Sequence, residues 1–139
     1  MSRFKGIPIR IEVEPEVSGT AVAGRVLREI ESLLERLLET GEGSAIDLRA
    51  LPALGVDGYG LLKDTLGQGE VSARIEGLGC TEIRETAYPG VWWSTHRNQK
   101  TEIVTELIEI TEVPALLKSQ HEDVRTGLAR LSRRLPTIG

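Results

Sequence analysis

From Gly69 to Thr111 the chain reads GEVSARIEGLGCTEIRETAYPGVWWSTHRNQKTEIVTELIEIT, and the period of its apolar positions decides the fold. Val71, Ala73 and Ile75 alternate with Ser72, Arg74 and Glu76, the two-residue period of a strand with one covered face. Gly77-Leu78-Gly79 then turns the chain, and a second strand runs from about Cys80 to Ala87. A third starts at Val91. A fourth spans about Glu102 to Thr111, with Ile103 and Leu107 on one face and Val104, Ile108 and Ile110 on the other. Strands joined by turns this short must pair antiparallel, because parallel neighbours need crossovers of about a dozen residues.

Upstream, Ile7, Ile9, Ile11 and Val13 alternate with polar residues, which predicts a further strand, and Pro8 suggests an edge position for it. After Ser18-Gly19-Thr20, apolar residues at Val22, Val26, Ile30, Leu33, Leu34, Leu37 and Leu38 form the stripe of an amphipathic helix that Gly41 or Gly43 would stop. Ser44 to Leu48 reads as a short buried strand. Pro52, Gly55, Gly58 and Gly60 then mark a loop leading into a short helix that ends near Leu66, with Asp57 as its N-cap. Downstream, Pro114 opens a turn of helix through Leu117, and Val124, Leu128, Leu131 and Leu135 describe a final amphipathic helix. Arg125, Arg130, Arg133 and Arg134 on its polar side either complement the helix dipole or offer a patch to an acidic partner. The sum is an α+β fold: one domain over residues 1–139, with a mainly antiparallel sheet of about five to six strands packed against two or three amphipathic helices.

Composition narrows the function classes. A formal net charge of -4 argues against nucleic acid, whose binding draws on clustered Lys and Arg. Cys80 is the only cysteine, so one chain can form neither an internal disulfide nor a four-thiolate metal site, which suits a reducing cytoplasm. No stretch approaches the eighteen or so apolar residues of a membrane span, and Met1 to Pro8 is not followed by a signal-peptide core.

Motifs for chemistry are sparse. Gly67-Gln68-Gly69 resembles the opening of a dinucleotide fingerprint, but Ser72 replaces the third glycine and the segment enters a strand instead of a helix. His96 and His121 lack the close pairing of common metal ligands, and His121-Glu122-Asp123 reads as the polar start of the last helix. We therefore expect no cofactor and no catalytic residues. The rivals are a small enzyme using Glu85, His96 or Cys80, and a metal or iron-sulfur carrier that would need more than one chain.

The concentrated feature is a contact surface. Tyr88, Trp92 and Trp93, three of the chain's five aromatics, fall beside the Pro89-Gly90 turn. Adjacent tryptophans on a strand point to opposite faces, so one should meet the core while the other is either covered or exposed as a binding anchor. Glu85 shares a strand face with Ile83, and a tight turn would place Trp92 opposite Ala87 and diagonal to Glu85, so that the carboxylate could accept from an indole or turn amide and fix the bend.

Three stretches carry a family likeness: LLKDTLGQGEVSARI from Leu61 to Ile75, EIRETAYPGVWW from Glu82 to Trp93, and LIEITEVP from Leu107 to Pro114. They resemble the C-terminal conserved region of the HupH/HyaF hydrogenase expression/formation proteins, with one copy at about residues 61–114. The resemblance implies a non-enzymatic accessory protein, a chaperone or scaffold for assembling nickel-iron uptake hydrogenases. Its implied partner is a hydrogenase subunit, the iron-sulfur small subunit favoured, or another maturation protein. Carried over by position, the partner-binding residues are Gly67, Gly69, Glu70, Val71, Glu85, Pro89, Gly90, Val91 and Trp92, to which Tyr88 and Trp93 add the neighbouring aromatic surface. Longer members look to carry two such units, so a function needing both would require a homodimer of this chain. Trp93 stands where the family pattern has a polar or basic residue.

Overall fold

The computed structural model describes residues 8, 9, 11 and 17–138, and the chain divides into two compact units, one within residues 5–112 and one from Val113 onward. In the larger unit, helix α1 (Gly19–Thr40) opens with Ser18, whose hydroxyl accepts from the Ala21 amide at 3.2 Å, and closes at Gly41, which adopts a left-handed φ of 75°. Strand β1 (Ser44–Asp47) follows, then two short 3-10 turns, then helix α2 (Gly55–Leu66). Strands β2 (Ser72–Gly77), β3 (Gly79–Glu85), β4 (Val91–Arg97) and β5 (Ile103–Ile110) complete the unit.

The sheet has five strands in the order β1-β5-β4-β3-β2, every neighbour antiparallel. The α+β architecture read from the alternation is therefore the observed one. Of the expected first strand from Ile7 to Val13, all but Pro8, Ile9 and Ile11 lie outside the described residues; Ile9 bridges Ile46 in parallel, its N–H donating to the Ala45 carbonyl at 2.6 Å.

The α1 stripe of Val22, Ala23, Val26, Ile30, Leu33 and Leu37 packs in one core with Ile46 of β1, Ile108 and Ile110 of β5, Val91 and Trp93 of β4, and Leu62 and Leu66 of α2. Full burial of each large aliphatic side chain stabilises the fold by about 1.5–3 kcal/mol. Leu38, counted with the stripe by its sequence position, is 88% exposed, because it lies one helical step, about 100°, round from Leu37. Asp57 sits within the first turn of α2 and does not cap it; Leu54 holds the N-cap position without a side-chain bond. The second unit holds a 3-10 turn at Ala115–Leu117 and helix α3 (His121–Ile138).

Candidate functional site

The two segments that stand out in the sequence are joined by main-chain bonds. The Ala87 N–H donates to the Leu66 carbonyl at 2.8 Å, the Gly69 N–H to the Glu85 carbonyl at 2.8 Å, and the Glu85 N–H to the Val71 carbonyl at 2.8 Å. Gly69 is required by proximity: a Cβ there would stand 2.5 Å from the Thr86 carbonyl oxygen and 2.6 Å from a Glu85 carboxylate oxygen. The end of α2, residues 67–71 and the start of the following loop thus form one ridge.

The loop between β3 and β4 is a turn at Tyr88-Pro89-Gly90-Val91, closed by the Val91 N–H donating to the Tyr88 carbonyl at 3.0 Å. Gly90 takes φ 94°, the left-handed position that a type II turn demands after proline. Thr86 holds it from inside. Only 2% exposed, its hydroxyl lies 2.9 Å from the Val91 carbonyl, to which it donates, and accepts from the Tyr88 N–H at 3.2 Å. The Thr111 N–H ties the bend to the end of β5 by donating to the Gly90 carbonyl at 2.9 Å.

That geometry corrects the role expected of Glu85. Glu85 pairs directly with Trp92, not diagonally, and both indoles donate elsewhere: Trp92 Nε1 to the Thr111 carbonyl at 3.1 Å, Trp93 Nε1 to Glu106 Oε2 at 2.8 Å. A short hydroxyl inside the loop does what a longer carboxylate on the strand was expected to do. The possibility of an exposed indole anchor is corrected too, since Trp92 is 5% and Trp93 7% exposed, and Val91 is fully buried. The residues left on the surface are Gly67, Gly69, Glu70, Val71, Pro89 and the half-exposed Tyr88.

Beside the ridge, α2 and strands β3 to β5 enclose a recess of about 500 Å³ whose lining includes Lys63, Gly67, Gln68, Glu82, Arg84, Glu85, Trp93 and Glu106. Within it, Glu106 is 5% exposed, and its Oε2 accepts from the Tyr59 hydroxyl at 2.7 Å, Trp93 Nε1 at 2.8 Å and the Thr95 hydroxyl at 3.1 Å. The Tyr59 and Trp93 rings meet edge to face at 5.4 Å, and the Lys63 ammonium lies 5.4 and 5.3 Å from their respective centres, in cation–π range. Burial first, and then the Glu106 carboxylate, hold the Tyr59 phenol well above its usual range, so it remains a donor. Along the open side, Arg84 pairs with Glu82 at 3.0 Å and Arg74 with Glu76 at 3.0 Å.

Glu106, Tyr59, Lys63 and Thr86 were not singled out from the sequence. Glu106 carried a signal nonetheless, since the alternation of β5 puts it on the inward face with Ile108 and Ile110, where an acid needs partners. The other titratable candidates do not converge: Cys80 and Glu85 are five positions apart on β3, about 17 Å, and on opposite faces. The His96 ring nitrogen Nδ1 bonds the Thr81 hydroxyl at 2.7 Å. Among the described residues, no group of three or more His, Cys, Asp and Glu is placed to hold a metal ion.

The larger unit is thus a small α+β fold in which main-chain bonds stiffen an exposed glycine-rich ridge along a charged recess. Residues 20–138 match the family model described as the HupH hydrogenase expression protein, C-terminal conserved region, and the chain belongs to that family. It is similar to the hydrogenase expression/formation protein HoxQ of Cupriavidus necator, 36% identical over 76% of this chain and 36% of the relative. The hydrogenase expression/formation protein HupH of Rhizobium leguminosarum bv. viciae is 26% identical over 91% of this chain and 44% of its own length. The chain thus spans less than half the length of these curated relatives. A solved structure of the hydrogenase expression protein HupH from Thiobacillus denitrificans superposes with a TM-score of 0.80 at 44% identity, covering 84% of this chain and 97% of that one. The likeness first seen in three short stretches therefore extends over nearly the whole chain.

Proposed function

We propose that this domain is a non-enzymatic assembly factor for a nickel-iron uptake hydrogenase, acting in the cytoplasm by holding a hydrogenase subunit, the small subunit favoured, or another maturation protein. The relatives, named for hydrogenase expression and formation, support the pathway. The observation that carries the mode of action is the ridge: Tyr88 is 50% and Val71 47% exposed, on backbone already fixed by the bonds between residues 66–71 and 85–87. A surface ordered before binding loses little further entropy on docking, so its contacts translate into affinity. The buried tryptophans act behind it as struts.

The test is affinity between the purified chain and a hydrogenase small-subunit precursor, followed by biolayer interferometry. Tyr88→Ala, which touches no core contact, is expected to weaken binding by roughly 30-fold, the equivalent of a hot-spot loss of about 2 kcal/mol. Unchanged affinity for both Tyr88→Ala and Val71→Ser would remove the ridge from the interface. Full hydrogenase activity in cells lacking the gene would remove the protein from the pathway.

A further inference from the structure

The strongest feature that the ridge does not account for is helix α3. Its apolar residues Val124, Leu128, Leu131, Leu135 and Ile138 are spaced four, three, four and three apart, the heptad seam of a coiled coil and narrower than the face of an ordinary surface helix. All five are exposed, at 57%, 65%, 55%, 56% and 66%. An 18-residue helix containing Gly127 and Pro136 is a poor helix former in isolation, so it needs packing along that seam.

We propose that α3 pairs antiparallel with α3 of a second copy of this chain. The seam is self-complementary in that direction over its four inner layers: Val124 meets Leu135 of the second copy and Leu128 meets its Leu131, while Ile138 falls at the seam's end opposite His121. Charge selects the same direction. Glu122 and Asp123 crowd the first turn, whereas Arg130, Arg133 and Arg134 lie toward the other end. Antiparallel pairing sets the acidic end of each helix beside the basic end of the other and opposes the two helix dipoles, whereas parallel pairing would gather like charges. At the seam's flanks, Arg134 faces Gly127 of the second copy and Arg125 faces its Ser132, so no arginine is set directly against another. This inference is independent of what the ridge binds.

Light scattering on the full chain, read at about 100 µM and again after hundredfold dilution, is expected to give twice the chain mass at the higher concentration and a shift toward monomer on dilution. The double variant Leu128→Glu/Leu131→Glu is expected to be monomeric throughout while keeping the melting transition of the sheet unit. For direction, Cys80→Ser chains carrying either Val124→Cys or Leu135→Cys are expected to form interchain disulfides when mixed and not when kept apart. A monomer at about 100 µM, a dimer that survives the double glutamate variant, or rapid self-crosslinking of Val124→Cys alone would each overturn the proposal.

Discussion

Replacing Glu106 by glutamine keeps the shape of the network at the recess and removes its charge. Three donors converge on one oxygen, at 2.7, 2.8 and 3.1 Å. A hydrogen bond to a charged group is worth about 1.5–3 kcal/mol and a neutral one about 0.5–1.5, so Glu106→Gln should cost about 2–3 kcal/mol in total. Tyr59→Phe removes one donor and should cost about 1.5 kcal/mol. Because each change abolishes the same charge-assisted bond, the double variant should be less damaged than the sum by about 1 kcal/mol, measured by urea unfolding as a double-mutant cycle. A second readout is the ionisation of Tyr59, followed by tyrosinate absorbance. Folding raises its pKa from the ordinary 10.0, so its contribution is complete below that pH and is lost as pH rises beyond it. In Glu106→Gln the phenol should ionise at lower pH than in the wild type, because both contributions from the carboxylate are gone while burial persists. Costs additive within about 0.3 kcal/mol, together with an unmoved tyrosine titration, would refute the network as drawn.

Gly69→Ala would drive a methyl against the Thr86 carbonyl oxygen at 2.5 Å, where backbone cannot yield, so it should cost about 1–3 kcal/mol by urea unfolding. Thr86→Val preserves shape but deletes the turn's internal hydroxyl; it should cost about 1–2 kcal/mol and speed amide exchange at Tyr88, whose N–H loses its acceptor. Glu109 has a buried carboxylate oxygen without a partner among the described residues, and burial raises its pKa. A carboxyl group that binds its proton more tightly when folded weakens the fold as pH rises past the unfolded value, so Glu109→Gln should raise the melting temperature near pH 7 and lose that advantage below about pH 4.5.

The sheet was legible because a period of two, interrupted by glycine turns, leaves little freedom: β2, β3 and β5 fall within two residues of their expected limits at each end, and β4 starts at Val91 as expected. The α1 helix was equally plain, and only Leu38 was assigned to the wrong side. The errors cluster where a side chain's partner lies in a different element. Nothing local distinguishes Glu85, which rims the recess, from Glu106, which three donors from α2 and β4 reach. Tyr59 and Lys63 sit in a helix whose glycines blur its apolar stripe, and their importance exists only once α2 is laid over β4. The tryptophans were correctly placed on opposite faces. Their exposure was not decidable, because it depends on what each face meets.

Adjacent tryptophans on opposite faces explain why the surface of this bend is so small and its support so large. Trp93 reaches inward to Glu106 and so to α2, while Trp92 reaches the other face and bonds the Thr111 carbonyl. Thr111 in turn donates its own N–H to Gly90, so the bend is fastened to β5 through main chain as well as through an indole. Gly67 and Gly69 then let α2 and the β2 approach come close enough to bond residues 85 and 87. On the proposed reading of this bend as a docking surface, each fastening removes a motion that would otherwise be lost on binding, and none of them needs to touch a partner. The family-like positions Val91 and Trp92, with Trp93 beside them, thus lie inside and lend rigidity, whereas Val71 and Pro89, with Tyr88 beside them, lie at the surface, a division that composition and spacing could not make.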